Sequence, residues 1–309
     1  MCIRDRFEGK TTGTPIALEV RNKDQRSKDY SAIMDLYRPG HADYTFDQKY
    51  GFRDYRGGGR SSGRETVGRV AAGAVAAKIL KELGVEVRAF TRSIGPVEIS
   101  PENFSWDEIA NNKLYMPDAR AAKEAQAYLE KLMGECDSAG GVVECRIEGL
   151  PAGVGEPVFD KLDANLAKAI LSIGAVKGFE IGEGFEAARL TGSEDNDEFA
   201  SGTDESGGRR IYKKTNHAGG VLGGISDGSP VVFRAAFKPT ASIARQQHTV
   251  CLLYTSCAGT ALRRRFFSSV PHNIFLLLLK EWGCGSGQRA SPPILFPDGS
   301  DRGSERAGR

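Results

Sequence analysis

The feature that most constrains this chain is a glycine-rich stretch that runs directly into an alanine-rich helical pattern. The stretch spans residues 38–65, and after its one histidine, His41, it carries four arginines, three consecutive glycines and two serines. Free backbone N–H groups at a helix N-terminus favour anions, and arginine side chains bind phosphate and carboxylate with paired donors. The stretch therefore predicts an anion-binding site at the start of a helix.

Periodicity beyond this stretch predicts a mixture of helices and strands. Asp118 is placed to cap a helix, and Gly84 to end one. Residues 183–210 are acidic and glycine-rich without a period, and are expected to form a mobile loop. The predicted strands are 16–20, 85–91, 142–149, 176–181 and 231–237, and the predicted helices are 65–84, 119–134 and 160–172.

Composition is that of an ordinary soluble globular protein, with 40% hydrophobic and 27% charged residues in 309. The net charge of +2 indicates neither a nucleic-acid binder nor an acidic tail. The six cysteines form no C-x-x-C pair and no zinc-ligand spacing, which favours free thiols in a reducing cytoplasm and no metal site. No signal peptide is apparent, and the apolar run at 274–279 is too short to span a bilayer, so no membrane partner is expected.

The RGGGR string at residues 56–60 has two interpretations when taken alone. Similar strings occur in disordered RNA-binding segments, whereas a glycine loop before a helix cradles phosphate. The alanine-rich pattern that follows argues against disorder, and near-neutral charge without interleaved aromatics disfavours a nucleic-acid module. No G-x-S-x-G, P-loop, H-E-x-x-H or strand-linked G-x-G-x-x-G motif offers a competing chemistry.

Four motifs occur in an order that resembles the chorismate synthase family. They are RPGHADYT with KYG and DYRGGGRSS at residues 38–62, GLPAGVGEPVFDKLD at 149–163, NHAGGVLGGIS at 216–226, and the sequence Lys238-Pro239-Thr240. The resemblance covers residues 7–249. It implies an α+β fold, an alpha/beta sandwich with helices packed between antiparallel sheets, and assembly as a homotetramer.

The activity implied by the resemblance is a step of the shikimate pathway of aromatic amino acid biosynthesis. The family eliminates phosphate from 5-enolpyruvylshikimate 3-phosphate to give chorismate, with reduced FMN as cofactor and no net redox change. Both substrate and flavin are polyanions, which suits a site of arginine, serine and glycine. An external source of reduced flavin is expected by default, and reduction by the chain itself, with NADP, stays open.

The family's functional positions map onto this chain residue by residue. His41 matches a catalytic histidine and would protonate the reduced flavin near N1, although a lone histidine is more often structural. Lys238 would neutralise the flavin phosphate, or is an ordinary lysine at a strand end. The positions that match FMN contacts are Arg60, Ser61, Ser62, Gly174, Ala175, Gly223, Lys238, Pro239, Thr240, Ala241 and Ser242.

Three further residues are left with open roles. Arg53 and Arg64 either hold substrate anions or form structural ion pairs with Asp47, Asp54 or Glu65. His217, within NHAGG, is given an orienting role at most.

The resemblance also predicts how the chain is divided. Residues 1–6 are expected to be a non-native leader, residues 7–249 an incomplete catalytic domain, and residues 250–309 an unrelated or frame-shifted, partly disordered tail. The family's G-E-S-H-G, R-R-R-P-G and R-H-D-P motifs do not occur. The chain alone is therefore expected to be weakly active or inactive, and to form the tetramer only with the missing ends restored. A non-catalytic relative that keeps only the flavin site is the alternative.

Overall fold

The computed structural model describes residues 2–4, 6–8, 10–21, 33–56, 63–203 and 207–252. The helices of this part are α1 (Asp43–Tyr50), α2 (Thr66–Glu82), α3 (Ala119–Gly134), α4 (Leu162–Leu171) and α5 (Gly192–Asp195). The strands are β1 (Cys2–Arg4), β2 (Arg6–Phe7), β3 (Lys10–Thr11), β4 (Ala17–Glu19), β5 (Glu86–Ile94), β6 (Val97–Glu98), β7 (Gly141–Glu148), β8 (Val176–Ile181), β9 (Phe199–Thr203), β10 (Arg209–Lys213), β11 (Val221–Leu222), β12 (Ile225–Ser226) and β13 (Val231–Phe237).

A five-stranded sheet with the order β6-β5-β7-β13-β8 organises the described part of the chain. Every neighbouring pair in it is antiparallel. The predicted strands 176–181 and 231–237 are confirmed with their bounds, and those at 85–91 and 142–149 are confirmed within a few residues. A mixed α and β fold with antiparallel sheets is therefore confirmed.

One face of this sheet is apolar and carries the larger core. Ala89, Cys145 and Phe233 lie side by side on β5, β7 and β13, and all three are buried. Helix α4 packs against this face through Leu162, Leu166 and Ile170. Burial in these apolar surroundings raises the pKa of the Cys145 thiol, which makes it a packing residue and not a nucleophile.

The other face is charged and partly covered by aromatic rings. Buried Glu144 pairs with Arg92 at 2.6 Å and with Arg146 at 2.8 Å. The Arg146 guanidinium lies 5.0 Å from the Phe104 ring centroid, and Phe104 in turn packs edge-on against Phe90. The charges of this group are therefore paired with one another, and the buried carboxylate of Glu144 is compensated by two arginines.

Helix α3 forms where the sequence predicts it, and its cap is the predicted one. The Asp118 carboxylate accepts hydrogen bonds from the backbone N–H groups of Arg120 and Ala121. Three alanines, Ala121, Ala122 and Ala125, are buried in a second core with Met116. Small side chains let the helix approach the end of β5 closely.

Helix α2 also matches its prediction, ending just before Gly84. Its alanine-rich surface is apolar on several sides, and Val67, Ile79 and Leu83 remain exposed. Among the residues that the structure describes, no helix is both long and apolar enough to cross a membrane.

One sequence prediction of local structure was wrong, and one helix was not predicted. Residues 183–210, expected to form a loop, contain in their described part a short helical turn (Gly184–Arg189), α5, β9 and the start of β10. Reciprocal hydrogen bonds between Thr191 and Glu194 start α5, and these short elements carry too few residues to show a period. Helix α1 was not predicted, because its eight residues are polar on most sides.

The division of the chain stays a prediction. Strand β1, within the predicted leader, pairs with β4 in an antiparallel register. All but residues 250–252 of the predicted tail lie outside the described residues.

Candidate functional site

The end of the sheet brings distant segments together because its strands are antiparallel. Phe237, the last residue of β13, is paired with Val176, the first of β8, and with Gly141, the first of β7. The residues just outside these strands therefore meet at one end of the sheet. They are Lys238 after β13, Ala175 before β8 and Gly140 before β7.

Residues 238–242, here called the KPTAS segment, leave β13 and are held along their length. The Lys238 backbone N–H donates to the Ala175 carbonyl at 2.9 Å, and the Ser138 hydroxyl donates to the Thr240 carbonyl at 2.8 Å. Gly140 lies against Pro239, since a Cβ on Gly140 would be 3.2 Å from the proline ring. The segment is thus fixed by contacts with the residues that precede β7 and β8.

His41 reaches the KPTAS segment from a tight turn at the start of α1. The turn is closed by a hydrogen bond from the His41 backbone N–H to the Arg38 carbonyl, at 3.2 Å. Gly40 adopts a φ of +70° in this turn, a conformation that side chains disfavour, and a Cβ there would lie 2.9 Å from the Cβ of Ala241. The sequence therefore needs glycine here for both conformation and space.

The two nitrogens of the His41 imidazole have different partners. Nδ1 lies 3.1 Å from the Pro39 carbonyl oxygen, and Nε2 lies 3.1 Å from the Ser242 hydroxyl. A carbonyl can only accept, so the neutral ring carries its proton on Nδ1 and offers its Nε2 lone pair to Ser242. Burial, followed by the charge of Arg38, lowers the pKa of His41 below its ordinary value.

The Lys238 ammonium contacts the turn that carries His41. Its Nζ donates to the Gly40 carbonyl at 2.6 Å. Within the described part of the chain no carboxylate forms an ion pair with it, and an ammonium has two further N–H donors. Lys238 is therefore a cation positioned to bind an anion.

Ala175 contributes a carbonyl in an unusual backbone conformation. Its φ is +74°, uncommon for a residue with a side chain, and its carbonyl accepts from Lys238. Gly174, the preceding residue, has open space at its Cβ position. Strain of this kind collects at functional sites.

The remaining predicted FMN positions are Gly223 and the three residues Arg60, Ser61 and Ser62. Gly223 lies in the turn between β11 and β12, and in the described residues no hydrogen bond joins it to His41 or to the KPTAS segment. The next residue, Gly224, accepts a hydrogen bond from the Leu162 N–H at 2.8 Å, so this turn packs on the start of α4. Arg60, Ser61 and Ser62 lie outside the described residues.

The structure decides between the two roles left open for Arg53. Its side chain is buried, pairs with Asp47 at 2.5 Å, and donates to the Met34 and Leu36 carbonyls at 2.7 and 3.0 Å. Arg53 is a structural residue that secures the chain before His41 to α1. The open roles of Arg64 stay as the sequence left them.

A buried charged cluster beneath the NHAGG motif was not predicted. Lys213, with a side chain only 1% exposed, lies 2.9 Å from Asp197 and 2.8 Å from Asp227. Asp197 also accepts from the backbone N–H groups of His217 and Ala218 at 2.8 and 3.0 Å. The cluster ties β10 to this loop, and no sequence signal distinguishes Lys213 from exposed Lys214 beside it.

Hydrogen bonding controls the charge state of this cluster. Burial acts to raise the pKa of Asp197, but hydrogen bonds from Thr215, Ala218 and Lys213 outweigh it and hold that pKa well below its ordinary value. Asp197 is therefore charged at neutral pH. No group of three His, Cys, Asp or Glu side chains suited to a metal ion occurs in the described ranges.

Comparison with known proteins gives consistent matches. The family model described as chorismate synthase matches residues 5–270. A chorismate synthase of Agathobacter rectalis is 63% identical over 244 residues, covering 79% of this chain and 65% of that protein. One of Phocaeicola vulgatus is 52% identical over 270 residues, covering 87% and 74%. The chain therefore spans about 65% of the length of the first of these relatives.

A solved structure agrees with the sequence matches. A crystal structure of chorismate synthase superposes with a TM-score of 0.66 at 36% identity, covering 78% of this chain and 71% of the other. These matches confirm the resemblance that the four motifs indicate.

Proposed function

This chain belongs to the chorismate synthase family, and we propose that it binds reduced FMN and 5-enolpyruvylshikimate 3-phosphate and takes part in eliminating phosphate to form chorismate. In this proposal His41 is the catalytic histidine, and the KPTAS segment with Ala175 binds the flavin. Arg60, Ser61, Ser62, Gly174 and Gly223 are proposed as further FMN contacts.

One observation supports the proposal above the others. His41 lies beside Lys238 and Ser242, although about two hundred residues separate them in the sequence. The His41–Ser242 contact of 3.1 Å and the hydrogen bond of 2.6 Å from Lys238 to Gly40 establish this arrangement. A proton-exchanging nitrogen, a hydroxyl and an ammonium without an ion-pair partner among the described residues thus meet at one end of the sheet. This is the set of groups that a phosphate-bearing, proton-accepting cofactor needs.

The residues present suit FMN by their chemistry. The Lys238 ammonium would bind the flavin phosphate, because it is a compact charge with donors to spare. Serine and threonine of the KPTAS segment would add neutral donors. When bound, the reduced flavin supplies electron density that makes departure of the substrate phosphate easier.

Within this site His41 would hold and deliver a proton at Nε2. The Pro39 carbonyl keeps Nδ1–H engaged, so Nε2 is the nitrogen that exchanges protons. Ser242 orients that nitrogen through its hydroxyl. A lowered pKa makes His41 readier to release its proton than an ordinary histidine.

The finer architecture is part of the same proposal. We propose that helices such as α2, whose apolar surface is incompletely covered in the described residues, lie between antiparallel sheets in a sandwich. We also propose a cytoplasmic homotetramer, formed by chains of full family length and supplied with externally reduced flavin.

The test is an anaerobic titration of reduced FMN, followed by absorbance, with and without 5-enolpyruvylshikimate 3-phosphate. The proposal expects the chain to bind reduced FMN, and to bind it more tightly when the substrate is present. His41→Gln should change the absorbance spectrum of the bound flavin but not its affinity. Absence of flavin binding to the folded chain would overturn it. Phosphate release in the same samples checks the separate expectation of weak or absent turnover.

A further inference from the structure

Asp43, the first residue of α1, grips Arg38 at both its backbone and its side chain. Oδ2 accepts from the Arg38 backbone N–H at 3.0 Å and from Nε at 2.8 Å, and Oδ1 accepts from Nη2 at 2.7 Å. The carboxylate is only 7% exposed. A paired, charge-assisted contact in a buried setting is among the stronger and more directional interactions available to a side chain.

This contact spans the turn that carries His41. Arg38 is the residue whose carbonyl accepts from the His41 N–H, and Asp43 lies two residues beyond His41. The turn is therefore tied at both ends while the histidine lies between them. Pro39, whose carbonyl holds Nδ1, is within the tied segment.

Asp43 is itself held from behind by a second arginine. Arg53 Nε lies 3.9 Å from Asp43 Oδ1, and its fork is anchored on the Met34 and Leu36 carbonyls. The Arg53 guanidinium also packs over the Tyr37 ring, 5.1 Å from the ring centroid. Two cations thus fix the position of one buried carboxylate.

We infer that Asp43 is a positioning residue for His41, holding the turn so that Nδ1 stays on the Pro39 carbonyl and Nε2 is the nitrogen that exchanges a proton. Asp43 acts through Arg38 and the turn, and it does not touch the imidazole nitrogens. The inference deepens the role of His41 and rests on the proposed function for its catalytic meaning.

The charges around His41 give the inference a second consequence. The charged groups that face the imidazole are Arg38 and Asp43 from its own segment and Lys238 from the KPTAS segment. Arg38 and Lys238 act to lower the pKa of His41, and Asp43 acts to raise it. Removing the Asp43 charge leaves two cations unopposed, so the pKa of His41 should fall further.

The experiment is nitrogen-15 NMR of the histidine side chains in the full chain, without flavin. Long-range proton–nitrogen correlations distinguish the two neutral tautomers and follow each ring through a pH titration. The His41 signals are assigned by their loss in His41→Gln. The test variant is Asp43→Asn, and the control is Asp54→Asn, which removes a half-exposed carboxylate that pairs with Arg56 and not with Arg38 or Arg53.

The wild-type chain and Asp54→Asn should show His41 mainly as the Nδ1–H tautomer. Asp43→Asn should show a mixture of tautomers and a lower pKa of His41. A His41 tautomer and pKa unchanged by Asp43→Asn would overturn the inference. A merely structural Asp43 would lower stability without altering either readout in the folded chain.

A second variant keeps the inference testable should Asp43→Asn fail to fold. Arg38→Lys retains the positive charge but lacks the paired guanidinium donors. It should therefore give a mixture of His41 tautomers while changing the pKa of His41 less than Asp43→Asn does. A wild-type tautomer pattern in Arg38→Lys would contradict the proposed clamp. Because flavin is absent throughout, failure of FMN binding leaves this result standing, and the two proposals fail separately.

Discussion

The Lys238 ammonium donates a hydrogen bond of 2.6 Å to the carbonyl of Gly40, 198 residues earlier in the chain. The bond links the end of β13 to the turn that presents His41. Ala241, three residues later, fills the space beside the Gly40 Cα. The KPTAS segment and the His41 turn therefore form one unit, and changes on either side of it should be felt on the other.

Replacing Lys238 by methionine should weaken FMN binding specifically through the phosphate. A charge-assisted hydrogen bond contributes about 1.5–3 kcal/mol, which corresponds to roughly a ten- to hundredfold loss of affinity. Riboflavin, which lacks the phosphate, should bind the variant as it binds the wild type. Titrations of both flavins measure this, with Lys177→Met, an exposed lysine on β8, as control. Equal weakening of the two flavins would speak against phosphate recognition by Lys238.

Substituting alanine for Gly40 should destabilise the chain more than the same change at Gly51. Both glycines have positive φ, +70° and +78°, so both changes carry a conformational cost of about 1–2 kcal/mol. Only Gly40→Ala adds a collision with Ala241, since a Cβ at Gly51 meets nothing within 4 Å. Urea unfolding compares the two variants.

The collision at Gly40 should be relieved by a second change. Ala241→Gly removes the atom that a Gly40 side chain would strike, so the double variant should regain the excess loss of stability. FMN affinity should recover in parallel. Failure of the double variant to recover either quantity would show that crowding at Ala241 is not the cause.

Lys213 and Lys214 are neighbours whose replacement should affect stability to very different extents. Lys213→Met leaves Asp197 and Asp227 buried without their cation, which costs about 3–5 kcal/mol. Lys214 is 59% exposed in its pair with Glu198, so Lys214→Met should change stability by about 1 kcal/mol or less. Urea denaturation of the two variants measures the difference. Equally small losses of stability in the two variants would mean that the ion pairs of Lys213 do not stabilise the fold.

Stability should rise with pH across the titration of His41. Its pKa is lowered in the folded chain, so between that value and the unfolded value of about 6.5 the unfolded chain binds more protons. By linkage, folding stability increases with pH through this window and is constant above it. Unfolding measured from below to above the window should show this slope, and His41→Gln should reduce it. An unchanged slope in the variant would assign the effect to another group.

At lower pH the aspartates act in the same direction. The pKa values of Asp43, Asp118 and Asp227 are lowered in the folded chain by hydrogen bonds that outweigh their burial. Their stabilisation is fully present above the unfolded value of about 3.9 and is lost as pH falls through the folded values. The unfolded pKa of histidine, about 6.5, lies above that of aspartate, about 3.9, and comparison with His41→Gln across one pH series identifies the histidine contribution.

The sequence by itself determined the features that depend on near neighbours in the chain. Asp118 caps α3 because its carboxylate accepts from N–H groups two and three residues later. Residues 231–237 are predicted as a strand because they form a short apolar run, which can be read from the sequence alone. The four motifs identified the family for the same reason, since each is a short run of residues. His41, Lys238 and Ser242 could be named as site residues from those runs alone.

Only the tertiary structure decided which of these residues meet. Antiparallel pairing of β13 with β8 brings Lys238 to Ala175, and the turn at Gly40 brings His41 to Ser242. It also decided that Arg53 is a structural ion pair and that Lys213 is buried while Lys214 is exposed. These outcomes depend on strand register and on packing between segments up to two hundred residues apart, and neither leaves a pattern in a single stretch of sequence.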